Sequence, residues 1–213
     1  MASGKRARRD NVIQLERNPV EYGFTDVKPL NFIQAEYLRA IQSNQIVFGV
    51  GSAGTGKTYV AATYAAGELF HRRIQKIILT RPNVETGRGL GFLPGTLEEK
   101  YAPYLEPFDN VFTRSLGKGF YEYALKAKTI EPKPLGFMRG ATFDNCIVLL
   151  DEAQNATKEE MKMLLSRIGK NCKMIISGDV DQSDIPDSGL SDAIHNERNC
   201  QSNIGRYKQA IRP

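Results

Sequence analysis

Four short apolar runs along the chain predict buried β-strands. They cover residues 45–50, 74–80, 146–151 and 172–177, and none keeps a strict alternation of apolar and polar positions. Strands that are apolar on both sides are expected where helices cover both faces of a parallel sheet. The pattern therefore predicts an α/β fold, a parallel sheet with helices on both faces.

Helical periodicity fills the stretches between these runs. Residues 31–42 place Ile33, Tyr37 and Ile41 four apart, which gives one apolar face. An alanine-rich segment with helical spacing starts at Tyr59. Short helices are therefore expected before and after the first predicted strand.

A capping box predicts another helix ahead of the last apolar run. Thr157 and Glu160 have the spacing at which each side chain bonds the other's backbone N–H. An apolar stripe and a glycine stop follow, formed by Met161, Leu164, Leu165, Ile168 and Gly169.

Charge divides the chain at about residue 28. Residues 1–28 lack sustained periodicity and begin with four cations and no acid in the first nine positions, so we expect a basic tail and linker. Residues 29–213 are expected to form one domain, although residues 190–213 show no firm pattern. No apolar run approaches the roughly 18 residues of a membrane span, and no signal-peptide core follows the basic start. We expect a cytoplasmic protein whose three cysteines are reduced thiols.

The segment G-S-A-G-T-G-K-T matches the phosphate-binding loop (P-loop) pattern G-x-x-x-x-G-K-[ST], between a predicted strand and a predicted helix. Glycines let backbone N–H groups turn towards phosphate oxygens, and the helix adds the positive end of its dipole. Lys57 is expected at the β- and γ-phosphates, and Thr58 is expected to bind Mg²⁺. The predicted nucleotide-binding residues are Gly51, Ser52, Ala53, Gly54, Thr55, Gly56, Lys57, Thr58 and Tyr59.

Two adjacent acids end the third apolar run, at the sheet edge where ligands of open α/β sheets collect. Asp151 is expected to hold Mg²⁺, and Glu152 to align and deprotonate the attacking water. Asp179 and Gln182 follow the next strand, where an amide can sense the γ-phosphate or hold the water. An Asp-rich turn ended by Pro186 is the alternative for that segment.

These features favour ATP hydrolysis among nucleotide reactions. The Asn-Lys-x-Asp element of GTPases is absent from the sequence. A small-molecule kinase usually has no glutamate directly after its metal-binding aspartate, so a kinase is the distant alternative.

Seven ordered segments of the chain resemble PhoH-like ATPases. They are GSAGTGKT, LTRPNVETGRGLGFLPG, EEKYAPYLEPFDNVF, FMRGATF, VLLDEAQNAT, MKMLLSRIG and SGDVDQSDIPDSGL. The resemblance implies a RecA-like P-loop NTPase core related to superfamily 1 helicases, with an aromatic-rich insertion before the Walker B strand. It further implies that Gln34 reads the adenine edge and that Gln182 couples the γ-phosphate to the rest of the protein.

The chain differs from other proteins of this kind in its C-terminal residues, and it has room for only one of the two lobes of a superfamily 1 helicase. Relatives commonly continue with another strand and helix after the S-G-L segment, whereas residues 191–213 match poorly. The chain has room for one RecA-like lobe, so an arginine finger must come from a neighbouring subunit if turnover is to be fast. We therefore expect a homo-oligomer, by family analogy a hexameric ring, with Arg81, Arg139 and Arg167 as candidate fingers.

Single-stranded RNA or DNA is the expected partner. Residues 114–139 hold six basic and two acidic side chains, interleaved with aromatic ones. Phe120, Tyr121 and Tyr123 are the stacking candidates, whereas Tyr101, Tyr104, Phe108 and Phe112 have helical spacing that favours packing onto the core. In the resemblance the T-R-P corner contacts nucleic acid, so Arg81, Arg88 and Arg139 join the candidates. The alternative is a nucleotide-stabilised assembly module that binds protein partners without remodelling nucleic acid.

Overall fold

The computed structural model describes residues 23–82, 97–197 and 208–210. Six strands and six α-helices occur in these ranges, together with short 3₁₀ turns. In chain order they are α1 (Phe32–Ser43), β1 (Ile46–Val50), α2 (Lys57–Phe70), β2 (Lys76–Thr80), α3 (Leu97–Leu116), α4 (Lys118–Lys126), β3 (Ile130–Pro132), β4 (Cys146–Leu150), α5 (Lys158–Leu165), β5 (Cys172–Gly178), α6 (Gly189–Glu197) and β6 (Lys208–Ala210). No helix within the described ranges is both long and apolar enough to cross a bilayer.

The strands form one parallel sheet in the order β3-β2-β4-β5-β1-β6. The four predicted apolar runs are the four central strands, which confirms the parallel α/β fold. Because all strands run the same way, the carboxyl ends of β1, β2, β4 and β5 lie at one edge of the sheet. We call it the carboxyl edge.

Alternate strand residues enter two separate cores, one on each face of the sheet. On one face Val47, Ile77 and Ile147 pack with α1 to α4. On the other face Val148 and Met174 pack with α5 and the start of α6. Helices therefore cover both sides, which is why every residue of β1 and β4 is buried and no polar alternation occurs in their sequences.

The aromatic-rich insertion is the helix pair α3 and α4. Phe108 and Phe112 are fully buried and stack on one another with ring centroids 6.2 Å apart. This confirms the helical packing predicted for these two residues.

The packed core also includes residues that the sequence assigned to the tail. Phe24 stacks on Phe70 with ring centroids 5.6 Å apart, and Val27 packs against the same core. The backbone N–H of Thr25 donates to the carbonyl of Ser115 at 3.0 Å. Packing therefore begins before residue 29, because one aromatic side chain covers the end of α2.

The start of α5 agrees with the sequence and its end does not. The capping box of Thr157 and Glu160 forms as predicted. The helix that it starts ends at Leu165, however, before the predicted glycine stop. Gly169 lies instead where a Cβ atom would be 2.7 Å from the carbonyl oxygen of Phe143, so close backbone approach explains this glycine.

The C-terminal region supplies the strand and helix that the sequence did not predict. The helix α6 follows β5, and β6 pairs in parallel with β1. A three-residue strand that begins Lys-Gln has no apolar run by which sequence could identify it.

Candidate nucleotide-binding site

The P-loop connects β1 to α2 at the carboxyl edge. Gly56 has a φ of 85°, a left-handed conformation that favours glycine, and a Cβ there would lie 2.6 Å from Nε2 of Gln34. Lys57 begins α2, and its Nζ donates to the carbonyl oxygens of Gly51 at 2.5 Å and Ser52 at 2.8 Å. The ammonium is therefore held inside the curve of the loop, where a phosphate would be bound.

Two oxygen donors meet beside the loop, as the sequence predicted for a cation site. Oγ1 of Thr58 donates to Oδ1 of Asp151 at 3.3 Å. Mg²⁺ usually takes one or two protein oxygens and completes its shell with substrate phosphates and water. Among the described residues no cluster of three or more His, Cys, Asp and Glu could hold a metal alone. A cation shared with a nucleotide fits this donor pair.

Burial and charge act in opposite directions at this site. Burial raises the pKa of Asp151, and the nearby guanidinium of Arg81 acts against that increase. Burial also lowers the pKa of Lys57, while Asp179, Asp151 and Glu152 favour its charged form. The three acidic side chains therefore favour the charged form of Lys57, so an ammonium group lies where phosphate oxygens would bind.

Glu152 is the second residue after β4 and has a constrained backbone conformation. Its φ of 53° and ψ of 39° are left-handed, which costs a non-glycine residue about 1 kcal/mol. Its Oε1 is 3.3 Å from Nη2 of Arg81, and its Oε2 accepts from Nε2 of Gln154 at 2.6 Å. Contacts from two directions therefore fix the carboxylate that the sequence identified as the candidate base.

Gln154 is a site residue that sequence reasoning missed. Its buried side chain joins two strand ends, since Oε1 accepts from the backbone N–H of Asp179 at 3.0 Å while Nε2 donates to Glu152. The signal that could have found it is the glycine at the end of β5. A Cβ on Gly178 would lie 2.9 Å from Oε1 of Gln154.

A second polar pair runs beside Gln154. Asn155 and Asp184 exchange two hydrogen bonds of 2.9 Å, from Nδ2 to the carboxylate and from the backbone N–H to Oδ1. Gln182 lies in the same segment with an exposed side chain, and its backbone N–H donates to the carbonyl of Asp179. The segment is thus anchored to the two amide side chains that follow the acids, Gln154 and Asn155.

Gln34 lies against the P-loop. Its Nε2 donates to the carbonyl of Thr55 at 3.0 Å, and its Oε1 accepts from the backbone N–H of Leu30 at 2.8 Å. Gln34, Tyr37 and Gly51 line a pocket beside the loop. Both ends of the amide therefore have protein partners.

The remaining P-loop residues divide by exposure. Ser52, Ala53 and Gly54 are exposed, whereas Tyr59 is partly buried and packs against the core.

The candidate arginines are spread widely. Arg81 forms an ion pair with Glu152 of its own chain, with 3.3 Å between Nη2 and Oε1. Arg167 bonds the carbonyls of Met163 and Ala141 near the amino end of β4, a strand length of about 16 Å from the acids. Arg139 is exposed beside a 3₁₀ turn, and Arg88 lies outside the described residues.

The three residues predicted to stack on bases do not lie on one surface. Tyr121 is buried, stacks on Phe112 at 5.5 Å and bonds Asp109, so it was wrongly assigned to base stacking. Phe120 packs against Phe70, at the end of α2 opposite the P-loop. Tyr123 alone among the three is exposed, at 67%. Neighbouring side chains on a helix point in different directions, so the three side chains lie on different faces of the helix.

Comparisons with known proteins agree with the fold. The model of the family described as "PhoH-like protein" matches residues 26–209. The chain is 46% identical over 177 residues to Protein PhoH of Escherichia coli K12, which covers 79% of this chain and 50% of that protein.

Two further relatives give the same result. The chain is 52% identical over 153 residues to the PhoH-like protein of Bacillus subtilis, covering 72% of this chain and 48% of that protein. With the PhoH-like protein of Mycobacterium tuberculosis H37Rv, identity is 46% over 171 residues, covering 79% and 49%. The chain spans about half the length of the curated relatives it matches.

Proposed function

Because the chain belongs to the PhoH family, whose members are in general ATP-binding proteins, we propose that it hydrolyses ATP with Mg²⁺. The observation that carries this proposal is the 3.3 Å contact of Thr58 with Asp151, beside Lys57. This contact supports the proposal because two oxygen atoms of the kind that bind Mg²⁺ lie near the ammonium of Lys57.

The proposed roles follow from the position of each side chain. Lys57 exchanges its bonds to the loop carbonyls for bonds to the β- and γ-phosphates, which develop charge in the transition state. Thr58 and Asp151 would hold Mg²⁺, which neutralises phosphate charge when bound. Glu152 orients the attacking water and accepts its proton. Gln34 holds the base, and Gln182 responds to the terminal phosphate.

Single-stranded RNA or DNA is the proposed partner. Arg81 lies at the carboxyl edge, and the exposed Arg139 lies two residues from Phe137, whose side chain is 64% exposed. With Tyr123, these residues offer guanidinium groups for phosphates and aromatic faces for bases. The proposed contacts are therefore separate surface positions and not one cluster.

A homo-oligomeric ring is the proposed assembly. Arg167 lies a strand length from the acids of its own chain, so it can act as a finger only on a neighbour's nucleotide. A mixture of Lys57→Ala and Arg167→Ala proteins is expected to recover turnover, because one interface then joins an intact P-loop to an intact arginine. No recovery, or specific activity independent of concentration in a verified monomer, would reject the shared site.

Phosphate release measured with and without single-stranded RNA and DNA tests the proposed function. We expect Mg²⁺-dependent turnover that nucleic acid stimulates, and loss of turnover in Lys57→Ala and Glu152→Gln. Nucleotide-dependent assembly without stimulation or salt-sensitive binding would favour an assembly module instead.

A further inference from the structure

Two cysteines begin neighbouring strands at the amino edge of the sheet, which is the edge opposite the nucleotide-binding site. Cys146 is the first residue of β4 and Cys172 the first residue of β5, and the two are register partners in this parallel pair. Both side chains belong to the core on the α5 face of the sheet. Their Sγ atoms lie 3.8 Å apart, and both thiols are free. The fold therefore pairs two thiols that are 26 positions apart in sequence.

The same kind of turn precedes both cysteines. Asn145 and Asn171 come directly before them and have left-handed φ values of 50° and 52°, a conformation that asparagine adopts more readily than most residues. Nδ2 of Asn171 donates to Oδ1 of Asn145 at 3.2 Å. The backbone N–H of Asn145 donates to the carbonyl of Lys170 at 2.9 Å. These bonds hold the two strand starts side by side and so fix the position of the thiol pair.

A cavity of about 460 Å³ lies at this edge of the sheet. Its lining includes both cysteines together with polar residues, among them Gln45, Asn171 and Lys173. The cysteines themselves are only 2% and 3% exposed. The cavity therefore gives a small molecule a route to the cysteine pair in the folded protein, whereas a large reagent has none.

The two thiols differ in reactivity. Cys146 donates its S–H to Sγ of Cys172. Accepting this hydrogen bond stabilises a thiolate and lowers the pKa of Cys172, while burial acts in the opposite direction. Donating the same bond raises the pKa of Cys146, and burial adds to that increase. Because the thiolate is the reactive form, Cys172 is the better nucleophile of the pair.

The geometry of the pair is compatible with a disulfide bond. Neighbouring strands lie about 4.8 Å apart, within the range of about 4.4 to 6.8 Å that Cα atoms joined by a disulfide span. The two sulfur atoms must approach to about 2.05 Å, and side-chain rotation can achieve this because the backbone separation is already suitable.

We propose that Cys146 and Cys172 form a thiol–disulfide exchange site for small organic disulfides. The thiolate of Cys172 attacks one sulfur of the small disulfide, which forms a mixed disulfide and releases a thiolate that takes up the proton lost by Cys172. Cys146 then gives up its proton, and its sulfur attacks the sulfur of Cys172. The bond between the two cysteines forms, and the second small thiolate leaves with that proton. The two protein thiols are oxidised, and the small disulfide is reduced to two thiols.

The test uses the full chain with Cys200→Ala, so that Cys146 and Cys172 are the two remaining thiols. The folded protein is incubated with hydroxyethyl disulfide and quenched with acid, and its intact mass and peptide map are recorded over time. Cys146→Ala and Cys172→Ala in the same background are the single-thiol controls. A parallel series of the two-thiol protein contains urea at concentrations below the unfolding transition.

We expect the two-thiol protein to lose the mass of two hydrogen atoms, with the peptides of Cys146 and Cys172 joined, and dithiothreitol to reverse this change. Cys146→Ala should stop at a mixed disulfide on Cys172. Cys172→Ala should react about tenfold more slowly than Cys146→Ala, because its remaining thiol has the higher pKa. Low urea should leave the rate of the two-thiol protein unchanged, since the reagent reaches the folded protein through the cavity.

Four results would overturn the inference or part of it. Mixed disulfides on both cysteines without the joined product would contradict the pairing. A rate that rises with urea in proportion to the unfolded fraction would place the reaction in the unfolded chain. Equal rates for the two single-thiol proteins would reject Cys172 as the first nucleophile. No reaction at either cysteine would reject the site itself. If a single-thiol variant does not fold, the peptide map and the urea series of the two-thiol protein still decide between these results.

Discussion

The substitution Gln154→Glu tests whether Gln154 positions the carboxylate of Glu152. The amide is buried, and its Nε2 lies 2.6 Å from Oε2 of Glu152. A glutamate keeps the volume and the acceptor for the N–H of Asp179. It replaces the donor to Glu152 with a second carboxylate, so the two groups must share a proton or repel each other.

The expected repulsion between the two carboxylates follows from this distance. Two unit charges about 3 Å apart repel by about 5 kcal/mol at an effective dielectric constant of about 20. Because the Glu152 side chain is 43% exposed, solvent screening reduces this to about half. The carboxyl pair should then release its last proton about two pH units above an isolated glutamate.

The sign of the pH effect is fixed by this shift. Below about pH 4 the carboxyls are protonated in both the folded and the unfolded chain, so the variant carries no penalty. As the pH rises to about 6.5, the unfolded chain ionises while the folded pair resists. The variant should therefore lose about 2.5 kcal/mol of unfolding free energy over this range, relative to wild type.

Urea denaturation at about pH 4 and about pH 8 measures this loss. The double variant Glu152→Gln/Gln154→Glu exchanges amide and carboxylate, so it should recover the stability while remaining inactive in phosphate release. Equal pH dependence in Gln154→Glu and wild type would refute the close contact on which the reasoning depends.

Three further substitutions test other contacts. Burial raises the pKa of Asp151, so the contribution of this residue to the stability of the nucleotide-free protein falls as the pH rises through that pKa. Asp151→Asn should therefore raise the free energy of unfolding by about 1 kcal/mol at pH 7.5. The same variant should lose the Mg²⁺-dependent stabilisation by ADP that scanning fluorimetry measures. Phe24→Ala should lose about 2 kcal/mol in urea denaturation, because it removes the ring stacked on Phe70; an unchanged midpoint would contradict this packing. Gly56→Ala should weaken ATP binding about tenfold in calorimetry, since its Cβ would displace Gln34, and unaltered affinity would exclude Gln34 from the site.

The central strands and the P-loop could be predicted because each depends on local sequence. A strand covered on both faces must be apolar throughout, so β4 is visible as C-I-V-L-L. The P-loop pattern is eight contiguous residues, so its glycines and lysine can be identified without knowledge of any distant contact. Thr58 and Asp151 are 93 positions apart, yet each ends up at the carboxyl edge because strand direction alone places it there.

Side-chain partners across the fold could not be predicted in the same way. Gln154 follows two acids in sequence, and only the register of β4 beside β5 brings it to the N–H of Asp179. Tyr121 looked available for stacking because sequence does not show that α3 lies beside α4. Phe24 was assigned to a tail because a single aromatic has no periodicity, although it packs on Phe70.

The position of Arg167 constrains the form of any assembly that shares the site. The acids lie at the carboxyl edge, whereas Arg167 lies by the amino end of β4. For this arginine to reach a neighbour's nucleotide, the amino end of one sheet must face the carboxyl edge of the next. Such a contact joins two different surfaces, so it repeats head to tail and produces a closed ring or an open filament. A two-fold dimer built on one self-complementary patch would leave Arg167 away from both nucleotide sites unless that patch included both edges.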